Sequence, residues 1–153
     1  MVLSPGDPVP AVTSRNQHGD TVEIDTEGPT VVYFYPRDDT PGCTIEAQQF
    51  ERERDSYAEA GVNIIGVSTD DVDSHAEFSD KYDLSFDLLA DPEGELAEVF
   101  DVPIKRGATV RTTFVIIEGA VHNVYEQVDP DGHARTVLNN LLEDGVVSLN
   151  LHD

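Results

Sequence analysis

The residues best suited to chemistry fall in one short stretch, Pro36-Arg37-Asp38-Asp39-Thr40-Pro41-Gly42-Cys43-Thr44-Ile45-Glu46, with Arg111 as a distant candidate partner. Cys43 is the one cysteine of the 153-residue chain. A lone cysteine is commonly a small buried hydrophobe. Its address argues for more, because it follows a short apolar run and a Pro/Gly loop and sits in the predicted first turn of a helix. Unpaired backbone N–H groups and the positive end of the helix dipole favour a thiolate there. Thr40, three residues earlier, can bring its hydroxyl into the same space, and Pro36 can stiffen the strand exit and shield the sulfur from water. Glu46, one turn after Cys43, opposes a thiolate unless it has a cationic partner. Arg111 is the candidate for that partner.

The elements that must position these groups alternate regularly. Val12–Asn16 and Thr21–Asp25 flank Gln17-His18-Gly19-Asp20 and predict a small hairpin. Thr30–Tyr35 reads as a strand buried on both faces. Apolar or small residues at Ile45, Ala47, Phe50, Tyr57 and Ala58 predict a helix from about Cys43 to Ala60, closed by Gly61. Val62–Ser68 is a second buried strand, Val72–Tyr82 a helix with Ala76, Phe78 and Tyr82 inward, and Phe86–Ala90 a third strand. A short helix over Glu93–Phe100 follows. Thr112–Ile117 and Val121–Val128 then surround the turn signal Glu118-Gly119. His133–Glu143 carries Val137, Leu138, Leu141 and Leu142 at helical spacing. Strands separated by helices imply crossovers and a mainly parallel central sheet with an antiparallel edge. The expectation is one three-layer α/β domain over residues 1–153.

Composition removes several functions. Nine basic and 31 acidic residues give a formal charge of −22, which opposes binding to nucleic acid or anionic membrane. No apolar run approaches the ~18 residues of a membrane span, and Met1–Pro10 lacks the pattern of a signal peptide. A single cysteine forbids an internal disulfide and any cysteine-built metal cage. The halves 1–76 and 77–153 each carry −11, so the acidity covers the whole surface and is not a tail. Such a surface repels itself until counterions screen it, which points to the cytoplasm of a salt-loving cell, with a merely acidic mesophilic protein as the alternative. His18, His75, His122, His133 and His152 are scattered without a metal-ligand spacing. Asp71-Val72-Asp73 opens like a calcium loop but has Ala76 where the turn needs Gly; it reads better as an acidic helix N-terminus.

The segment Phe34-Tyr35-Pro36-Arg37-Asp38-Asp39-Thr40-Pro41-Gly42-Cys43-Thr44-Ile45-Glu46-Ala47 resembles the active-site segment of peroxiredoxins. Thr-Pro-Gly-Cys-Thr-x-Glu-Ala narrows the resemblance to the Q-type, or bacterioferritin-comigratory, branch. Arg111-Thr112-Thr113-Phe114 is similar to that family's second segment, and the likeness runs essentially end to end. It implies a thioredoxin-like sandwich with a mixed central sheet and an N-terminal β-hairpin, and reduction of hydrogen peroxide or organic hydroperoxides without metal or organic cofactor. It assigns Cys43 as the peroxidatic cysteine, with Thr40 and Arg111 bonding sulfur and peroxide. Pro36, Glu46 and Gly42 are supporting residues.

Many members of the branch carry a resolving cysteine five positions after the peroxidatic one, where this chain has Gln48. The implied mechanism therefore uses one cysteine, whose sulfenic acid is reduced by an external thiol, either a thioredoxin-like protein or a low-molecular-weight thiol. A monomer or weak homodimer is expected. Two other readings compete: a thioredoxin-like thiol transferase, weakened by the absence of Cys-x-x-Cys, and a peroxide-sensing or chaperone-like redox switch. The presence of Thr40, Glu46 and Arg111 beside Cys43 favours catalysis, since a switch needs only a reactive thiol.

Overall fold

The computed structural model describes residues 2–148, and His152 lies outside them. The N-terminal hairpin pairs β1 (Thr13–Arg15) with β2 (Thr21–Glu23) in antiparallel register. Asn16 shapes its turn, its side-chain oxygen accepting from the backbone N–H groups of His18 and Asp20, as short polar side chains do in turns.

The chain then runs through β3 (Thr30–Phe34), α1 (Pro41–Arg52), α2 (Arg54–Glu59), β4 (Asn63–Ser68), α3 (Val72–Tyr82), β5 (Asp87–Ala90) and α4 (Glu95–Phe100). It finishes with β6 (Ile104–Lys105), β7 (Ala108–Thr109), β8 (Thr112–Ile117), β9 (Ala120–Glu126) and α5 (His133–Glu143). The central sheet has the order β5-β4-β3-β8-β9. β3 and β4, and β4 and β5, pair in parallel, whereas β8 is antiparallel to β3 and β9. This is the thioredoxin-like mixed sheet expected from the sequence, with the N-terminal hairpin beside it.

The alternation of side chains across β3 divides the core in two. Val31, Tyr33 and Tyr35 face Cys43, Ala47, Phe50, Tyr57, Phe78 and Leu138 from α1, α2, α3 and α5. Val32 and Phe34 face the other way, onto Leu96, Ala97 and Phe100 of α4 and Phe114 of β8. Phe50 centres the first layer, stacked on Tyr33 at 4.6 Å between centroids and set edge-on to Tyr57 at 5.8 Å. Truncating such a fully buried ring to Ala costs about 3–5 kcal/mol. The buried face of α1 is thus held against the end of β3, which puts Cys43 above the sheet.

Two expectations are corrected and one element is added. The single helix over 43–60 is two, because the chain leaves helical geometry at Glu53 (φ −88°, ψ 1°). The bend turns Tyr57 into the core, where its hydroxyl donates to the Ala134 carbonyl at 2.6 Å; Ile45 of α1 and Ala58 of α2, expected inward, are exposed. The short fourth helix starts two residues late, since Asp91 reaches past the turn to accept from the Leu96 and Ala97 amides. The β6–β7 hairpin was not foreseen; Arg106 and Gly107 turn it with positive φ angles of 55° and 77°, the geometry of tight hairpins. α3, β8 and α5 keep their expected bounds. Asp71 caps α3 by accepting from Ser74 N at 2.8 Å. No described helix is long and apolar enough to cross a membrane.

Candidate active site

Pro36 ends the run of buried β3 residues, and the loop 36–40 delivers the chain to α1. Thr40 is the extended N-cap and Pro41 occupies the first turn, where a missing N–H costs nothing. The Thr44 amide already bonds to the Thr40 carbonyl at 2.8 Å. Gly42 and Cys43 therefore lie in the turn that precedes intrahelical pairing. Cys43 is the third residue of α1 and is 1% exposed.

Arg111 arrives from the residue before β8 and makes the contact with Cys43 and Glu46 that sequence spacing alone could not establish. Its Nη2 donates to Cys43 Sγ at 3.4 Å, and its Nη1 to Glu46 Oε1 at 2.7 Å. The guanidinium thus sits between a sulfur and a carboxylate, with its side chain 16% exposed while that of Glu46 is fully buried. Burial pulls the Arg111 pKa down, but Glu46 and Cys43 more than offset this and hold it above its ordinary value. Glu46 moves the other way. Burial raises it to about 7 against the opposing pull of Arg111. Its second oxygen, Oε2, is buried without a partner, which is the physical reason its charged form is poorly solvated.

Gly42 has a steric role. A Cβ placed there would lie 3.1 Å from Arg111 Nη2 and 3.4 Å from Pro130 Cγ. Pro130, in the loop between β9 and α5, is a wall of the site that the sequence did not announce. Thr40 departs from expectation. Its hydroxyl donates to the Arg37 carbonyl at 2.9 Å, closing the loop on itself, and among the described residues no hydrogen bond joins it to the sulfur. Pro36 is half-buried at the mouth of the loop.

Two further residues sit close without having been singled out. Thr109 donates to the Tyr35 carbonyl at 2.7 Å, tying β7 to the exit of β3. His133 is buried at the start of α5, with Nε2 2.8 Å from Thr113 Oγ1. Burial, reinforced by Arg111, lowers its pKa to about 4 and keeps it neutral. The potential metal-ligand atoms of Asp38, Asp70 and His75 lie within 4.8 Å of one another. They are engaged in hydrogen bonds to one another and to Tyr35, Ser68, Ser74 and Leu89.

The arrangement is a buried sulfur at a helix start, faced by a charged donor that a carboxylate orients. It can stabilise negative charge passing from sulfur to a bound oxygen. The family model described as AhpC/TSA matches residues 5–123. The chain is 38% identical to peroxiredoxin Bcp of Bacillus subtilis (strain 168), over 92% of this chain and 96% of that one. It is 39% identical to the chloroplastic peroxiredoxin Q of Oryza sativa subsp. japonica, over 91% of this chain and 67% of that one. Among solved structures, peroxidoxin BcpB from Mycobacterium tuberculosis is similar with a TM-score of 0.86 and 33% identity, over 92% of this chain and 97% of that one. A PrxQ mutant from Xylella fastidiosa has a TM-score of 0.88 at 27% identity, over 95% and 99% of the two chains.

Proposed function

The chain belongs to the AhpC/TSA family, in the peroxiredoxin Q/Bcp group of thiol peroxidases, and from that premise we propose that Cys43 is the sulfur that attacks peroxide. The observation that supports this most directly is the placement of one Arg111 guanidinium against both Cys43 Sγ and Glu46 Oε1.

The Cys43 thiolate attacks one oxygen of hydrogen peroxide or an organic hydroperoxide. The O–O bond breaks, the S–O bond forms, and the second oxygen leaves as hydroxide or alkoxide, which takes a proton. Sulfur is oxidised by two electrons and the peroxide is reduced by two. Arg111 faces the sulfur, and the first-turn amides of α1 have no intrahelical partner; both can stabilise the charge that develops along this line. Thr40 contributes when its hydroxyl turns from the Arg37 carbonyl toward the sulfur. Pro36 shields the pocket, Glu46 orients Arg111 and Gly42 leaves room for it.

The product is Cys43 sulfenic acid. With one cysteine in the chain, an external thiol resolves it: the first thiol forms a mixed disulfide and releases water, and a second returns Cys43 to the thiol. A thioredoxin-like protein or a small thiol fits this role, and a monomer or weak homodimer can carry it out. Residues 1–153 act as one domain, and a charge of −22 suits the cytoplasm of a salt-loving cell. Loss of structure on dilution into low salt supports that setting; full stability there removes it and leaves the enzyme untouched.

The test of the function is the intact mass of reduced protein mixed with a slight excess of hydrogen peroxide. A rapid gain of one oxygen, reversed by added thiol and absent from Cys43→Ser, is expected. Oxidation no faster than that of free cysteine would overturn the assignment and favour a redox switch.

A further inference from the structure

His75 is fully buried on α3 with both ring nitrogens engaged. Nε2 lies 2.9 Å from the Leu89 carbonyl oxygen of β5. A carbonyl only accepts, so this nitrogen carries a proton. Nδ1 lies 2.7 Å from Asp38 Oδ2, in the loop that leads to Thr40 and Cys43. A carboxylate also only accepts. Neutral histidine has one N–H, yet the nearest partner of each nitrogen here is an acceptor, with the Tyr35 hydroxyl farther from Nδ1 at 3.4 Å.

The surroundings favour charge on the ring. Asp38 accepts from Tyr35 Oη at 2.6 Å and from Ser74 Oγ at 2.8 Å besides His75. Burial, with Asp38 beside it, holds the Tyr35 hydroxyl well above its ordinary pKa, so it donates. A second carboxylate, Asp70, belongs to the same cluster and accepts from Asp38 N at 2.7 Å and Ser68 Oγ at 2.7 Å. The titratable groups named around the ring are thus Tyr35 at the exit of β3, Asp38 in the loop and Asp70 between β4 and α3. A buried ion pair withstands desolvation only when the remaining lone pairs and protons are satisfied, and those of this pair are.

We propose that His75 is an imidazolium paired with the Asp38 carboxylate, and that this buried pair is the positioning element that fixes the 36–40 loop, and through it the start of α1. α3 holds the next residue as well. Asp39, in the left-handed region at φ 58°, accepts from Lys81 Nζ and Tyr82 Oη at 2.8 Å each. The pair touches neither sulfur nor peroxide. It acts through the loop, and its bearing on turnover rests on the reading of Cys43 as the reacting sulfur.

The test uses reduced, ¹⁵N-labelled protein with no peroxide present. In neutral buffer, long-range ¹H–¹⁵N correlation is expected to show both His75 nitrogens protonated, as their two acceptors require. An unprotonated Nδ1 there overturns the charged pair, and a proton held by Asp38 instead gives that result. Asp38→Asn should return the ring to one N–H. In Asp38→Asn and His75→Gln, amide exchange at Thr44 should rise about tenfold or more, because its bond to the Thr40 carbonyl loses its support. Unchanged exchange in the folded variants overturns the positioning role. Ser74→Ala keeps the pair and removes one donor, so it should raise exchange less; an equal or larger rise counts against the pair. These signals are independent of whether Cys43 reacts. Rapid peroxide oxidation of the wild type, falling about tenfold in the two pair variants, joins them to function.

Discussion

Gly42 and Arg111 are packed so closely that a methyl group on the glycine would stand 3.1 Å from the guanidinium Nη2. The same nitrogen faces Cys43 Sγ, so a single added carbon acts on the charge that faces the sulfur. Gly42→Ala should leave the fold intact and slow peroxide oxidation of Cys43 by about tenfold, the scale of a small misplacement. Stopped-flow oxidation measures this, and an unchanged rate would show that Arg111 gives way without cost.

Removing the charge should cost more than moving it. Arg111→Met deletes a charge-assisted donor, and oxidation should fall about 10²-fold. It also leaves Glu46 buried and unpaired, which destabilises the fold. Arg111→Lys, retaining charge without the fork, should recover only part of the rate. Equal rates in all three proteins would remove Arg111 from the reaction.

Glu46 makes stability depend on pH in a defined sense. Burial raises its folded pKa from 4.5 to about 7, so the folded protein holds this proton more tightly than the unfolded chain. The resulting stabilisation is complete below pH 4.5 and lost as pH rises to about 7, by on the order of 3 kcal/mol at most. Urea midpoints across this range should lose that fall in Glu46→Gln, and a persistent fall would assign it elsewhere.

His133 acts with the opposite slope. Its pKa drops from 6.5 to about 4, mainly through burial and then through Arg111. Its contribution is complete above pH 6.5 and lost as pH falls toward 4, again by about 3 kcal/mol at most. In His133→Gln, unfolding midpoints should decline less between pH 6.5 and 4 than in the wild type. An identical decline would show that the ring is not neutral in the fold.

Gly66 lies under the central tyrosine of β3. A Cβ there would be 2.9 Å from Tyr33 Cζ and 3.0 Å from Leu88 Cδ2, and Tyr33 stacks on Phe50 of α1. Gly66→Ala should destabilise the protein by about 1–3 kcal/mol through overpacking. Thermal unfolding reads this directly, and an unchanged midpoint would mean that the ring shifts freely.

What the sequence made legible depended on whether the signal was local. Thr112–Ile117 is apolar along its length and borders Glu118-Gly119, and the His133–Glu143 leucines repeat at helical spacing, so both elements have their expected bounds. Cys43, Glu46 and Arg111 were nameable because a buried carboxylate beside a sulfur needs a cation. The bend at Glu53 carries neither Pro nor Gly; what anchors it is the distant Arg135, which donates from Nε and Nη2 to its carboxylate. His75 looked like one scattered histidine because its partners Asp38 and Leu89 are 37 and 14 residues away. Thr40 stands three residues before Cys43, and that spacing does not say whether its hydroxyl turns to the sulfur or, as here, to the Arg37 carbonyl.

The anchoring of α1 at both ends also sets the size of any opening that uncovers Cys43. On one side Asp39 is moored to α3. On the other, Gln49 donates to Asp131 and accepts from Gly132 N, and Glu53 grips Arg135. The segment that can come loose without breaking these ties is residues 40–48. Freeing so short a stretch gains limited chain entropy, and its fixed ends leave the sulfur little distance to travel. A thiol that resolves Cys43 as proposed above therefore has to approach the sulfur close to its folded position, since the chain cannot carry it far.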